Sequence, residues 1–234
     1  MPLLNRLVAI SAVALLVGGC ATTRDNPDPW EGLNRKTYAF NEALDAAVLK
    51  PVATGYVKVV PAFAREGVNN FFDNLGDIAT GLNNLLQGKP AEGASDLGRF
   101  AVNSVFGVFG LWDVATPLGL EKHYEDFGQT LGRWGMQPGP YVMLPLLGPS
   151  TLRDAPARAV DPSWYYSEWV NPEGLYWGVF WGLDTVRIRA NLFQAEGVLQ
   201  EAALDKYSFL RDAWLQRRRS QVYDGNPPRL KEDE

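Results

Sequence analysis

The sequence predicts a mainly helical single domain that is attached to a membrane. Apolar residues recur every three or four positions over long stretches, no repeat or linker divides the chain, and a short apolar N-terminal segment ends in the only cysteine. The chain has 234 residues, 46% of them hydrophobic. This length and hydrophobic content permit a substantial core and exclude disorder along the whole chain.

The residue counts and motifs argue against several function classes. Acidic residues outnumber basic ones, 27 to 22, which is unfavourable for binding nucleic acid. One cysteine and one histidine exclude a disulfide framework and a Cys/His zinc cluster. Neither G-x-S-x-G nor a P-loop motif is present. We therefore expect no enzyme activity, no catalytic residue, no metal and no cofactor.

A charged run holds the remaining candidates for acid/base chemistry. His123 lies within EKHYED (121–126), which we interpret as a solvated loop. Glu125 and Asp126 are adjacent in sequence, and adjacent side chains do not face each other on a helix. They therefore make a poor acid/base pair.

The N-terminal segment resembles a bacterial lipoprotein signal. Its apolar run of thirteen residues, 7–19, is shorter than the roughly 20 that a membrane-spanning helix needs. The sequence LVGGC at 16–20 resembles a lipobox, in which the cysteine is acylated and the peptide is cut before it. We expect removal of residues 1–19, lipidation of Cys20 and a polar tether over 20–29. The presence of Ala21, rather than Asp, directly after the cysteine resembles the pattern that sorts lipoproteins to the outer membrane.

Helical spacing of apolar residues begins at Trp30. Pro51 is expected to close this first helix, because proline removes a backbone donor and clashes with the preceding turn. A second helix is predicted over 68–86 and should end at Gly88 and Pro90.

The middle of the chain is apolar but rich in glycine and proline. A third helical segment is predicted over 91–114, with Gly107 and Gly110 marking close packing or a bend. Residues 134–152 carry no charge, but their four prolines exclude a membrane-spanning helix. An apolar loop is predicted there, with one extended piece at 141–144.

Aromatic residues are concentrated between Trp164 and Trp181. Tryptophan and tyrosine favour a membrane interface because each has an apolar ring and a polar tip, although a protein core also accommodates them. Helices are predicted over 173–204 and 206–222, so the helical domain spans 30–222. Residues 223–234 are predicted to be a flexible tail.

Five distinctive blocks stand in collinear order between residues 20 and 220. They are DPWEGLNRKTYAFNEALD (28–45), NFFDNLGDIATGLNNLLQGK (70–89), GRFAVNSVFGVFGLWDVA (98–115), EDFGQTLGRWG (125–135) and GPYVMLPLLGPSTLRDA (139–155). Together they resemble the MlaA family of lipoproteins, also called VacJ.

This resemblance implies an all-α, ring- or disc-like domain with a Gly/Pro-rich loop, embedded in the inner leaflet of the Gram-negative outer membrane by amphipathic helices and a lipid anchor. An amphipathic channel would admit mislocalised phospholipid from the outer leaflet. A soluble periplasmic carrier of the MlaC type would receive the lipid, and a trimeric porin would be a further partner. The function implied is retrograde transport that maintains lipid asymmetry. A lipid-anchored scaffold that binds porin without conducting lipid is the alternative.

The resemblance also suggests residues for a gate. Gly132, Arg133, Gly135, Gly139 and Tyr141 match the family's glycine-containing loop beside the channel. Glycine permits unusual backbone angles, so this loop could be a mobile gate or a static tight turn. Arg133 could attract a phosphate or pair with one of the preceding acidic residues.

Uncharged polar side chains along the helices could line the channel without trapping a charged head group. The candidates are Asn70, Asn74, Asn83 and Asn103. Asn103 also matches a family block together with Arg99 and Asp113, for which a structural network is an equally good explanation.

Overall fold

The computed structural model describes residues 26–161, 177–193, 196 and 204–229. Several sequence expectations lie outside these residues. They concern the signal segment 1–19, Cys20 with the tether up to residue 25, the aromatic residues 164–176, and the end of the tail at 230–234.

Helices dominate the described residues, as the sequence predicts, and one short β-hairpin is present. The elements are α1 (Glu31–Leu44), α2 (Lys50–Val59), α3 (Ala62–Leu86), α4 (Pro90–Phe106), α5 (Phe127–Arg133), β1 (Tyr141–Leu144), β2 (Gly148–Thr151), α6 (Asp154–Val160), α7 (Trp177–Asn191) and α8 (Lys206–Val222). None of the helices in these ranges is long and apolar enough to cross a bilayer.

The first helix does not end at Pro51, so that prediction is wrong. A π-helical turn, Asp45–Leu49, joins α1 to α2, and the Lys50 N–H donates to the carbonyl of Asp45 five residues earlier. Pro51 is the second residue of α2, where the wider turn before it accommodates the ring and the missing donor. The chain leaves the helical path only near Pro61, immediately before α3.

The helices α3 and α4 form an antiparallel hairpin. Asn74 Nδ2 donates to Ser104 Oγ over 3.0 Å, near the open end of the hairpin. Nearer the turn, a Cβ added to Gly93 would lie 2.9 Å from the carbonyl oxygen of Gly81, closer than real Cβ atoms come. Glycine at the crossing therefore allows the two backbones to pack against each other.

The third predicted helix stops at Phe106 rather than at residue 114. Gly107 caps it, and the chain then turns through three consecutive residues with positive φ: Val108 (51°), Phe109 (57°) and Gly110 (85°). A Cβ on Gly110 would lie 2.5 Å from Asn74 Nδ2. The bend expected at the two glycines is therefore present.

The β-hairpin lies at the small apolar core. The extended piece at 141–144 is β1, as predicted; its partner β2 and the short helices α5 and α6 were not predicted. Tyr141 and Met143 are buried against Tyr207 of α8. The end of the predicted tether is fixed here, because Asp28 is buried and accepts a 2.5 Å hydrogen bond from the Tyr207 hydroxyl.

Candidate functional site

The described residues distribute polarity in an unusual way. Eighteen of the buried side chains among them are polar or charged, whereas nine are hydrophobic. Large apolar side chains are exposed instead, including Val59 (81%), Phe63 (77%) and Phe109 (77%). Soluble domains place most large apolar side chains inside and seldom bury charge. This surface is therefore of the kind that an apolar medium or a partner covers.

Charged networks take the place of much of an apolar core. Arg218 of α8 contacts Asp126 through both terminal nitrogens, at 2.5 and 2.6 Å, and Asp154 through Nε at 2.9 Å. Burial alone would raise the pKa of both carboxyls, but the hydrogen bonds and charge of the arginines outweigh it and lower the pKa of each. Arg153 adds a 2.8 Å contact to Asp154. This network ties α8 to α5 and α6.

A second network fixes the segment that follows α4. Arg99, which is 2% exposed, contacts the Asp113 carboxylate at 3.2 Å and donates to the carbonyl of Leu120 at 2.7 Å. Asn103 Oδ1 accepts hydrogen bonds from the backbone of Val114 and Ala115. The three residues from the family block thus form the structural network that was one of their two explanations.

An amphipathic cavity of about 380 Å³ opens between α3, the 121–126 segment and α7. Its apolar wall contains Phe72, Phe180 and Trp181, and the rings of Phe72 and Phe180 are 4.8 Å apart. Its charged lining includes Asp73, Asp77, Lys122, Glu125, Asp184 and Arg187. The cavity therefore offers apolar rings and charged groups of both signs within one space.

Two cations contribute to this lining. Lys122 Nζ lies 2.7 Å from Asp77 Oδ1 and 3.3 Å from the carbonyl of Asp73. Arg187 lies over the Phe72 ring at 4.8 Å and contacts Asp184 at 2.6 Å and Asp73 at 3.2 Å. Each cation is thus held by carboxylates from the cavity wall.

Asp77 is the most deeply buried charged group of the cavity, with 1% of its surface exposed. Burial raises the pKa of its carboxyl, and the hydrogen bond from Lys122 offsets part of that rise. Its Oδ2 lies 3.4 Å from Arg99 Nε but accepts no hydrogen bond from any described residue. Asp77 thereby connects the cavity to the network around Arg99.

The four asparagines expected to line a passage do not meet in one. Asn74, Asn83 and Asn103 are each less than 5% exposed and hydrogen-bond within the protein. Asn70 is partly exposed and donates to the carbonyl of Leu111. Asn74 thus connects α3 to α4, Asn83 connects α3 to α5 and to Asp161, and Asn103 connects α4 to the turn at 113–115.

The five residues expected to form a gate divide into two groups. Tyr141 is fully buried in β1, and a Cβ on Gly132 of α5 would lie 2.6 Å from Arg153 Nη1. Gly135 (φ 96°) and Gly139 (φ 67°) belong to the connection between α5 and β1. Arg133 is exposed as well and lies 3.8 Å from Asp224. The exposed part of the loop therefore runs from 133 to 138, and Gly139 is half-buried against Leu152.

Arg133 pairs with neither acidic residue that sequence reasoning offered. Glu125 contacts Lys89 at 3.1 Å, and Asp126 forms its ion pair with Arg218. Asp224 also contacts Lys89, so the first described residues of the predicted tail pack against the domain.

The 121–126 run is not a solvated loop, contrary to the sequence interpretation. His123 Nδ1 lies 3.2 Å from both oxygens of Asp96, which is fully buried. Burial raises the pKa of the Glu125 carboxyl, although the hydrogen bonds from Gln87 and Lys89 act to lower it. Polar groups buried on α4 and at the start of α5 hold this run in place.

Sequence reasoning missed the charged residues of the cavity. Asp73 lies among the asparagines of α3 but was not a candidate, and Lys122 was placed only in the charged run. Asp184 and Arg187 have the i, i+3 spacing that brings opposite charges together on one helix face, and they contact at 2.6 Å. The i, i+3 spacing can be recognised in the sequence, but the packing of α7 against α3 cannot.

Comparisons with known proteins agree on one family. The model of the MlaA lipoprotein family matches residues 26–221. Proteins named intermembrane phospholipid transport system lipoprotein MlaA from Shigella flexneri and Escherichia coli (strain K12) are each 36% identical over 223 residues, covering 91% of this chain and 86% of the relative. The one from Haemophilus influenzae is 33% identical over 234 residues, covering 95% and 92%.

A solved structure is similar as well. It comes from work on the structural basis for maintenance of bacterial outer membrane lipid asymmetry. It has a TM-score of 0.69 and 34% sequence identity, and the match covers 85% of this chain and 99% of that chain.

Proposed function

This chain belongs to the MlaA lipoprotein family, and on that premise we propose that it removes mislocalised phospholipids from the outer leaflet of the Gram-negative outer membrane. The lipid would pass through an amphipathic passage in the protein to a soluble periplasmic carrier of the MlaC type. Retrograde transport of this kind maintains lipid asymmetry, which accords with the names of the relatives and with the subject of the similar structure.

The observation that supports this function best is the polar interior beneath an apolar exterior. Burying an exposed phenylalanine or valine in an apolar medium is favourable by roughly 1.5–3 kcal/mol per side chain. Residues such as Phe63 and Phe109 would gain this energy among acyl chains. Inside, hydrogen-bonding groups would accommodate a head group that cannot cross hydrocarbon alone.

The amphipathic cavity is a suitable part of such a passage. A phospholipid has a charged head and apolar tails, and the cavity presents Lys122 and Arg187 beside the rings of Phe72 and Phe180. We assign it to the lipid path in place of the buried asparagines. Asn70, which is partly exposed, remains a candidate for the lining.

The anchor and the partners are part of the same proposal. Cys20 would carry the acyl groups, and several chains hold a protein on a membrane far better than one. The connection at 133–139 would act as the gate, or else as a static turn. A trimeric porin would bind the apolar exterior.

A scaffold that binds porin without conducting lipid is the alternative function. The open cavity favours the conduit, because a scaffold has no need of a cavity.

The amount of phospholipid on the cell surface tests this function. Cells that lack the protein should accumulate surface phospholipid. The intact chain should reverse the accumulation, and Cys20→Ala should not. Immunoblots of whole-cell lysates establish that both forms are expressed. Surface phospholipid that stays unchanged on deletion, in cells without a second clearance pathway, would favour the scaffold.

A further inference from the structure

We propose that the cavity between α3 and α7 selects phospholipids with a zwitterionic head group, such as phosphatidylethanolamine, over anionic ones such as phosphatidylglycerol. This inference rests on the function proposed above and names the lipid class that the passage prefers. It follows from the arrangement of charges in the cavity wall.

A carboxylate pair would bind the ammonium group. Asp73 and Asp184 both contact Arg187, so two negative charges share one positive charge. Their side chains are 39% and 32% exposed, and only Oδ1 of each carboxylate contacts the guanidinium. The Oδ2 atoms accept no hydrogen bond from the described part of the chain. A net charge of −1 thus remains at the cavity mouth, where an ammonium can approach.

Two cations would bind the phosphate. Arg187 uses Nε and Nη1 for the carboxylates, which leaves its Nη2 donors available within the described residues. Lys122 donates to Asp77 and to the carbonyl of Asp73, so its three-donor ammonium keeps one hydrogen atom for a ligand. Asp73 and Asp77 are four residues apart on α3 and thus lie on the same helix face. The phosphate site and the ammonium site are therefore adjacent.

The surroundings strengthen these charges. The wall beside Arg187 is aromatic, with Phe72 and Phe180 in contact, and Asp77 next to Lys122 is buried. Apolar walls displace water, so charges at their edge interact more strongly than they would in bulk solvent. An ammonium is also attracted to ring faces. The cavity therefore offers a negative site for the ammonium and a positive site for the phosphate of a zwitterionic head group.

An anionic head group matches only half of this site. Its phosphate can use Lys122 and Arg187, but its uncharged glycerol leaves the excess negative charge of Asp73 and Asp184 uncompensated. The two carboxylates then repel the ligand's net negative charge. Discrimination thus comes from an unfavourable contact with the wrong lipid as well as from a favourable contact with the right one.

A competition experiment tests the proposal. The lipid-anchored protein, purified and delipidated in mild detergent, is incubated with mixed micelles of equimolar dioleoyl-phosphatidylethanolamine and dioleoyl-phosphatidylglycerol and then repurified. Mass spectrometry gives the total bound phospholipid and the ratio of the two lipids. A half-exposed ion pair should enrich the zwitterionic lipid about two- to fivefold. Asp73→Asn or Asp184→Asn should bring the ratio toward one without lowering the total.

Two further variants separate the contributions. Arg187→Gln should lower the capture of both lipids, because the phosphate is common to them. Asp212→Asn removes an exposed carboxylate from α8, outside the cavity, and should leave the ratio unchanged. Thermal unfolding checks that each variant is folded, and the two cavity aspartates provide independent tests.

The possible outcomes distinguish this inference from the proposed function. A ratio of one in the wild type, or a ratio that both asparagine variants keep, overturns the head-group selection and leaves the conduit in place. A wild-type protein that retains neither lipid contradicts the conduit itself.

Discussion

Arg218 shows how single residues hold this molecule together. Its guanidinium contacts Asp126 before α5 and Asp154 at the start of α6, and the side chains of Arg218 and Asp154 are buried. Charges removed from water need close partners, and here the partners come from distant parts of the chain. The arginine run at 217–219 therefore stabilises the fold through Arg218, beyond a favourable interaction with the helix dipole.

The substitution Arg218→Met should destabilise the protein by about 1–3 kcal/mol, because Asp126 loses its cation and the buried Asp154 keeps only Arg153 as a charged partner. The neighbouring Arg217→Met is a matched control, since Arg217 is exposed and forms no ion pair with the described residues. It should change the free energy of unfolding by less than about 0.5 kcal/mol. Urea titration in detergent measures both. Equal stability of the two variants would contradict the assigned role.

Residue types were easier to predict than residue environments. The asparagines of α3 were recognised as an uncharged polar set, but whether an amide faces a passage or a neighbouring helix depends on what lies opposite. For Asn83 it is Thr130 at 2.8 Å and Asp161 at 3.3 Å, 47 and 78 residues away in sequence. No local pattern encodes such distances.

Helices and turns were predictable in proportion to their length. The apolar periodicity located α3 and α8, whereas α5, α6 and β2 span only 7, 7 and 4 residues. Elements this short depend on tertiary contacts rather than on propensity. The π-helical turn before Pro51 was missed for a related reason, because proline usually ends a helix and only the local geometry reveals the exception.

The connection between α5 and β1 offers a test of the gate. Gly135 has φ 96° and open space around its Cα, so Gly135→Ala adds backbone strain without a clash and should cost about 1–2 kcal/mol. Gly55 in α2 also has open space, but helical φ, and Gly55→Ala should stabilise by up to about 1 kcal/mol. If the loop gates the passage, only Gly135→Ala should raise surface phospholipid. A folded Gly135→Ala protein that clears lipid normally would favour a static turn.

At the scale of the whole molecule, the described residues place large apolar side chains on the surface and polar side chains in the interior. Phe106 and Phe109, both more than 70% exposed, follow one another across the turn after α4. Composition did not predict this, because 46% hydrophobic residues are compatible with a conventional core. The inversion emerges only when the helices are assembled.

Replacing both exposed phenylalanines, Phe106→Ser with Phe109→Ser, should weaken membrane association without unfolding the protein. Each ring lost from an acyl-chain environment removes roughly 1.5–3 kcal/mol of transfer free energy. The comparison is made in the Cys20→Ala background, so that the lipid anchor does not dominate, by flotation with phospholipid vesicles. Equal flotation of the parent and the double variant would show that this turn lies away from the bilayer.

The scarcity of buried apolar side chains also has a calorimetric consequence. Exposure of apolar surface on unfolding raises the heat capacity, whereas exposure of polar groups lowers it. A described interior in which polar side chains outnumber apolar ones therefore implies a heat-capacity increment below the usual ~12–15 cal/mol/K per residue. Its stability curve should be correspondingly flat, so that the free energy of unfolding changes little as the surroundings cool or warm.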